Sequence, residues 1–317
     1  MIRKSIVITF IAGLMAMFTS AQSVNEAGEL FNQAIQEYQA ENYATAATKF
    51  RQAADMAEQV GDDGIDLMIK AEQQWVISLY NEGKKHYSNK DYNEAVTAFS
   101  AAAEAARKVR DEKTLDASNT YIAGIKTAFG NNYLRDDDHA NALRYYDEAI
   151  EAKPGYIKAY YGKGLAYKKA GDLENMKAQL EQVLEMGEAD EKTADRARGV
   201  LATTFLNEGA MALQNGDFST AVQNLETSVK YNETEPQAFY YLALSYNGSG
   251  EYDKAIEAAT AAVEKGFSQP GDAWFEVGKA HEAKGNSAAA CEAYGKVTSG
   301  NNVEAAKYQR EQVLKCG

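Results

Sequence analysis

The chain has 317 residues, 45% of them hydrophobic, 10% aromatic and 25% charged, with three prolines and a formal charge of −13. That composition excludes a disordered or collagen-like chain, and the acidic balance argues against a broad nucleic-acid-binding surface. Length alone suggests about two domains, and prolines this sparse leave room for long helices.

The first element is not part of a folded body. Arg3 and Lys4 make a short positive start, Ser5 to Phe18 is an apolar run, and Thr19-Ser20-Ala21 closes it with small residues. This is the layout of a secretory signal peptide spanning residues 1–21, with cleavage expected after Ala21. A membrane anchor needs roughly 20 apolar residues, more than this run supplies. No cysteine lies near residue 21 to accept a lipid, and no other run has membrane-spanning length. The expected product is an exported chain with no membrane span, periplasmic or associated with the outer membrane. Because the segment carries two basic residues and no acidic one, its removal takes the charge from −13 to −15.

Beyond residue 22 the sequence repeats. Small residues recur at Ala34, Gly83, Gly130, Gly164, Gly209, Ala243 and Gly278. Twelve positions after each come Ala46, Ala95, Ala142, Met176, Ala221, Ala255 and Ala290. Four further on stand Phe50, Phe99, Tyr146, Leu180, Leu225, Ala259 and Tyr294. Between the first two columns run turn signals such as Lys90-Asp91-Tyr92, Gly216-Asp217-Phe218 and Gly250-Glu251-Tyr252, where Gly ends one helix and Asp starts the next. A small residue lets antiparallel helices approach closely, and the large one fills the space beside it. The units are therefore helix–turn–helix pairs.

With Tyr160…Gly164-Leu165-Ala166-Tyr167, Phe239…Leu242-Ala243…Tyr246…Ala255 and Trp274…Val277-Gly278…His281…Ala290…Tyr294, the chain resembles the tetratricopeptide repeat family over about residues 27–300. The resemblance implies an all-α fold, a right-handed superhelical α-solenoid of about seven repeats. The expected units are 27–60, 76–109, 123–156, 157–190, 202–235, 236–269 and 271–301, with a capping helix at 302–316. Pro154 falls in the family's proline column, and Pro236 and Pro270 are expected in turns between units. Three intervals between small residues, of 49, 47 and 45, exceed the family's period. The extra stretches, Met56 to Val76, Lys108 to Ala123 and Gly187 to Ala202, are expected to lengthen helices at the unit junctions, with a projecting hairpin as the alternative. In the cap, Val303, Ala306, Val313 and Leu314 fall on one stripe.

Cys291 and Cys316 leave two alternatives open. An oxidising compartment and an even cysteine count favour a disulfide, for which Cys316 must fold back; otherwise Cys291 is a buried thiol and Cys316 a frayed tail.

The sequence shows no constellation for catalysis, so an enzyme is not expected and no cofactor or metal is implied. His86, His139 and His281 occupy columns otherwise filled by aromatics, and packing explains them. Gly162-Lys163-Gly164 begins like a dinucleotide fingerprint, but Tyr167 stands at its third glycine and no strand precedes it. Asp136-Asp137-Asp138 lacks the spaced oxygens of a calcium loop.

The family places its inner, concave face on the first helix of each unit, at three positions before the small residue and at one and four after it. The resemblance thus implies a groove carrying Tyr80, Lys84, Asn131, Tyr161, Leu165, Lys168, Tyr240, Leu244, Asn247 and Phe275, with Tyr87, Thr127 and Leu134 at equivalent positions. Tyr43, Tyr92, Tyr133, Tyr146, Tyr167, Tyr246, Tyr252 and Tyr294 are expected in the core. Apolar groups with scattered Lys and Asn suit an extended peptide or a partner helix, and they also suit packing between repeats. The lysine/asparagine carboxylate clamp of some family members is not reproduced, because Phe31-Ile35, Thr127-Asn131 and Leu206-Ala210 lack the paired donors. The expected function is a non-enzymatic protein-interaction scaffold in envelope assembly or secretion. The alternative is an envelope glycan-binding protein.

Overall fold

A computed structural model describes residues 24–316. The signal segment, residues 1–21, lies outside them. The described residues form helices joined by short turns, with no strand among them, and the chain divides into two compact units, up to Met176 and from Lys177.

The first unit contains α1 (24–39), α2 (Tyr43–Val60), α3 (Ile65–Asn89), α4 (Tyr92–Val109), α5 (Glu112–Arg135), α6 (His139–Ala152) and α7 (Ile157–Lys169). From α2 to α7 each helix packs on the next, and α3 meets α5 and α5 meets α7, so alternate helices also stack. The boundary between units falls in α8 (Leu173–Glu185). The second unit holds α9 (Glu191–Gln214), α10 (Phe218–Tyr231), α11 (Pro236–Ser249), α12 (Tyr252–Glu264), α13 (Pro270–Ala283), α14 (Ser287–Gly295) and α15 (Val303–Tyr308), which continues as a π-turn over Gln309–Val313. It repeats the pattern, with α9 meeting α11 and α11 meeting α13.

The repeat columns are the packing elements. Ala46, Ala95, Ala142, Ala221, Ala255 and Ala290 are fully buried, as are Phe50, Phe99 and Tyr146. A Cβ at Gly83 would sit 2.7 Å from the Phe99 ring, so the ring occupies the space that a side chain would need. Burial of each such aromatic contributes on the order of 2–3 kcal/mol. Helix starts follow from side-chain caps: the carboxylates of Asp111, Asp138, Asp190 and Asp217 accept the amides of Thr114, Asn141, Thr193 and Thr220.

Several expectations are corrected. The extra stretches do lengthen helices at the junctions rather than form hairpins, and α2 and α4, with 18 residues each, take a small part of them. Most of the added length goes to the first helix of the following pair, so α3 has 25 residues and α5 and α9 have 24, against 13 in α7 and 14 in α11. The expected unit starts at 76, 123 and 202 therefore fall inside helices, and the pairs begin at Ile65, Glu112 and Glu191. Local chemistry explains it: Gly61, at φ 79°, stops α2, while Asp111 and Asp190 cap the new helices. Pro236 and Pro270 are the first residues of α11 and α13, where the missing N–H has no helical partner to lose. Tyr92, expected in the core, is 38% exposed. In the cap, Val303, Ala306 and Leu314 pack with Tyr294 and Val297, but Val313 points outward because the π-turn shifts the stripe.

The C-terminus does fold back. Lys315 adopts φ 52°, the Cys316 amide donates to the Arg310 carbonyl at 2.8 Å, and the structure joins Cys291 to Cys316 in a disulfide with a Cα–Cα distance of 5.8 Å. The buried Asp272 carboxylate accepts the Asn301 amide at 3.1 Å and the Asn302 side-chain amide at 3.0 Å, pinning the turn that leads into α15.

Candidate functional site

The first unit presents a ladder of rings. Half-buried Tyr80 of α3 leans on Phe99 at 5.6 Å and on Tyr121 at 6.1 Å, and Tyr121 stacks on Phe99 at 4.4 Å. Tyr87, one turn of helix after the small residue, meets Tyr121 edge-on at 5.2 Å and Tyr92 at 5.7 Å. The series continues through Phe129, 6.4 Å from Tyr92, to Tyr145 and Tyr133. Such edge and stacked pairs each add about 0.5–1.5 kcal/mol beyond area burial, so they hold the rings in fixed orientations.

Between α3, α4 and α5 the ladder opens into a cavity of about 260 Å³ lined by Tyr87, Tyr92, Ile125, Ala128, Phe129 and Asn132. No ionisable acid or base other than the two phenols lines it. Tyr87 is 42% exposed, so both phenol-bearing rings reach solvent while Phe129 braces them.

The expected groove residues divide sharply. Lys84 is exposed, its ammonium 5.9 Å from the Tyr80 ring. Asn131 is exposed, but its Oδ1 accepts the Tyr146 hydroxyl at 2.7 Å, so half of its amide serves the core. Tyr161 and Leu165 are half-buried, Leu165 packs against the cluster of Leu134, Ala142, Tyr146 and Ala166, and Lys168 is exposed. Thr127 and Leu134 are buried and leave the surface.

In the second unit the expected residues mostly face inward. Tyr240 stacks on Phe267 at 4.4 Å, and burial, with the Glu276 and Asp272 charges, pushes its phenol up to about 12. Asn247 donates its side-chain amide to the Glu276 carbonyl at 3.0 Å and to the Glu276 carboxylate at 2.8 Å, while Lys279 reaches the same carboxylate at 3.0 Å. Asn247 is therefore spent on a buried carboxylate rather than offered to a ligand. Phe275 leans on Tyr294 at 5.4 Å inside the capping cluster, and Leu244 is half-buried.

Sequence reasoning missed Tyr121, Phe129 and Tyr145. Tyr121, Ile125 and Phe129 are spaced four apart along α5, a stripe that was readable. They lie between the repeat columns, and Tyr121 lies in the lengthened part of the helix, so the 34-residue register passes over them. Among the described residues no group of three or more His, Cys, Asp or Glu side chains is placed to hold a metal ion, and no helix is long and apolar enough to cross a membrane.

Stacked helix pairs that expose ordered side chains along alternate helices define a helical-repeat scaffold. Family models described as tetratricopeptide repeat match residues 157–189, 206–270 and 243–299, so this part of the chain carries tetratricopeptide repeats. It is 25% identical over 151 residues to human Tetratricopeptide repeat protein 13, covering 39% of this chain and 18% of that protein. It is 31% identical over 90 residues to Photosystem I assembly protein Ycf3 of Prochlorococcus marinus (strain MIT 9211), covering 27% of this chain and 51% of that protein. The chain thus spans about half or less of the length of these relatives. A solved structure of YrrB, described as a TPR protein with an unusual peptide-binding site, is 22% identical, covers 67% of this chain and 96% of its own, and has a TM-score of 0.35.

Proposed function

We propose that the chain is a non-enzymatic interaction scaffold that binds an extended, uncharged segment of a partner protein across the aromatic ladder of its first unit. The observation that carries this reading is the pair of solvent-reaching rings, Tyr87 and Tyr92, at the mouth of a cavity with no charged lining. Rigid aromatics supply contact area at small entropic cost, and Asn132, whose Oδ1 accepts from Arg135, leaves its side-chain NH2 to fix register. The signal-like residues 1–21 favour export, and the assembly role in the name of the relative Ycf3 favours service in envelope assembly.

The test is affinity capture from the envelope fraction of the source organism with the full chain and with a Tyr87→Ala/Tyr92→Ala variant, followed by a binding titration with the captured partner's segment. The double substitution should weaken binding about tenfold or more, since central aromatic anchors typically carry over 1.4 kcal/mol, and should leave the circular dichroism unchanged because both rings are exposed. An unchanged affinity sinks the reading. The same rings suit a pyranose face, and a glycan-array signal lost in the variant, with no protein captured, would favour the glycan alternative instead.

A further inference from the structure

The other flank of α3 carries a second concavity. Trp75, Leu79, Glu82 and His86 recur along one side of the helix, and at roughly 100° per residue they lie about 140° round its axis from Tyr80, Lys84 and Tyr87. Helices α2 and α4 wall this flank and bound a cleft of about 650 Å³. Its floor is apolar, with Ala47 buried and Trp75, Leu79 and Ala98 half-buried.

The unpaired charge of the cleft is negative. Its basic residue, Arg51, is already engaged, 2.6 Å from Asp55 and 3.5 Å from Glu72, with its guanidinium 4.9 Å from the Trp75 ring centre. Glu82 is met by the His86 imidazole at 3.1 Å. Glu94, exposed at the mouth in the first turn of α4, has neither a hydrogen bond nor an ion pair among the described residues. A cleft with an apolar floor and an unpaired carboxylate, Glu94, at its mouth complements a cation on an aliphatic stem.

We propose that this cleft binds a lysine side chain of a partner protein segment, its methylenes along Leu79 and Trp75 and its ammonium drawn to Glu94 and Glu82. Lysine fits better than arginine because Arg51 already covers the aromatic face on which a guanidinium would stack, whereas a lysine needs only stem contact and a point charge. The site does not depend on the aromatic ladder, since one takes a cation and the other an uncharged segment, so either can fail alone.

The experiment is an NMR titration of the full chain, following the indole N–H signals of its two tryptophans, Trp75 and Trp274, assigned with Trp75→Phe and Trp274→Phe variants. The probes are the peptide acetyl-Ala-Leu-Lys-Leu-Ala-amide, the same peptide with norleucine in place of lysine, and butylamine. The lysine peptide should move the Trp75 signal saturably and leave Trp274 in place. Glu94→Gln should weaken it about threefold and Glu82→Gln/Glu94→Gln about tenfold, as expected for partly exposed ion pairs. Glu94 has no partner to lose, so circular dichroism of its variant should match the parent. Absence of a saturable shift, equal binding of the norleucine peptide, equal binding of butylamine, or indifference to the double substitution would each overturn the proposal.

Discussion

Tyr146 shows how one side chain serves two helices. Its ring fills the space left by Gly130 and Gly162, where a Cβ would approach to 2.7 and 2.4 Å, and its hydroxyl donates to Asn131 at 2.7 Å. Burial pushes its phenol up to about 12 from an ordinary 10.0. A group whose folded pKa is raised contributes stability fully present below its unfolded pKa and lost as pH rises through the folded one, so this contribution disappears between about pH 10 and 12. Tyr146→Phe removes that titration. At pH 7 the variant should be less stable by about 0.5–1.5 kcal/mol for the lost hydrogen bond. Its melting temperature should then fall less steeply than the parent's between pH 9.5 and 11.5, measured by thermal scans at several pH values, and parallel slopes would refute the account. The residue was legible in the sequence as a large group twelve-plus-four positions after a glycine. Its partnership with Asn131, which was read as a groove residue, was not, because side-chain hydrogen bonds leave no periodicity behind.

At the scale of the element, periodicity gave the helix pairs and their facing columns but placed three helix starts too late. The columns mark where helices touch, as at Gly83 and Phe99, and say nothing of how far a helix runs beyond the contact. The starts were written elsewhere, in the cap residues Asp111 and Asp190 and in Gly61. The same limit applies to the site: Tyr80 and Lys84 were found through the register, Tyr121 and Phe129 were not, and Asn247 was taken for a ligand donor because its buried acceptor, Glu276, sits outside the groove columns. The last element owes its position to a covalent tie across 25 residues. In the chain-entropy account a closed loop of that length restricts the unfolded state by about 3.5 kcal/mol. Cys316→Ser should therefore lower the urea midpoint of the second unit and speed hydrogen exchange in α14 and α15, while leaving the exchange of α2 to α6 unchanged. Uniform acceleration along the chain, or none, would count against it.

For the whole molecule the charge of −13 and the first 21 residues belong together. If that segment directs export, the mature chain begins at Gln22 with a charge of −15, and expression with the segment intact in a bacterial host should yield, in the periplasmic fraction, a protein whose N-terminal sequencing reads Gln22-Ser23-Val24. Recovery of an unprocessed chain in the cytosol would remove the export proposal and leave the scaffold reading standing, since the latter rests on the helices and their exposed rings.

The turns that close the helices differ along the chain. The left-handed positions closing α1, α3, α4 and α5 are held by Glu41, Lys90, Arg110 and Asp137, where the turns after α2, α7, α9, α11 and α13 use Gly61, Gly171, Gly216, Gly250 and Gly285. A left-handed conformation costs a non-glycine residue about 1 kcal/mol, so these four turns are carried by the packing around them rather than by their own preference. Together with the lengthened α3 and α5, they depart from the regular 34-residue spacing of the repeat. Family models match residues 157–189 and 206–299, and helices of the same pairing run from residue 24 onward. The divergent pairs are also the ones that carry the aromatic ladder and the acidic cleft. In this chain the irregular helix lengths and the exposed aromatic and acidic side chains fall in the same stretch of sequence.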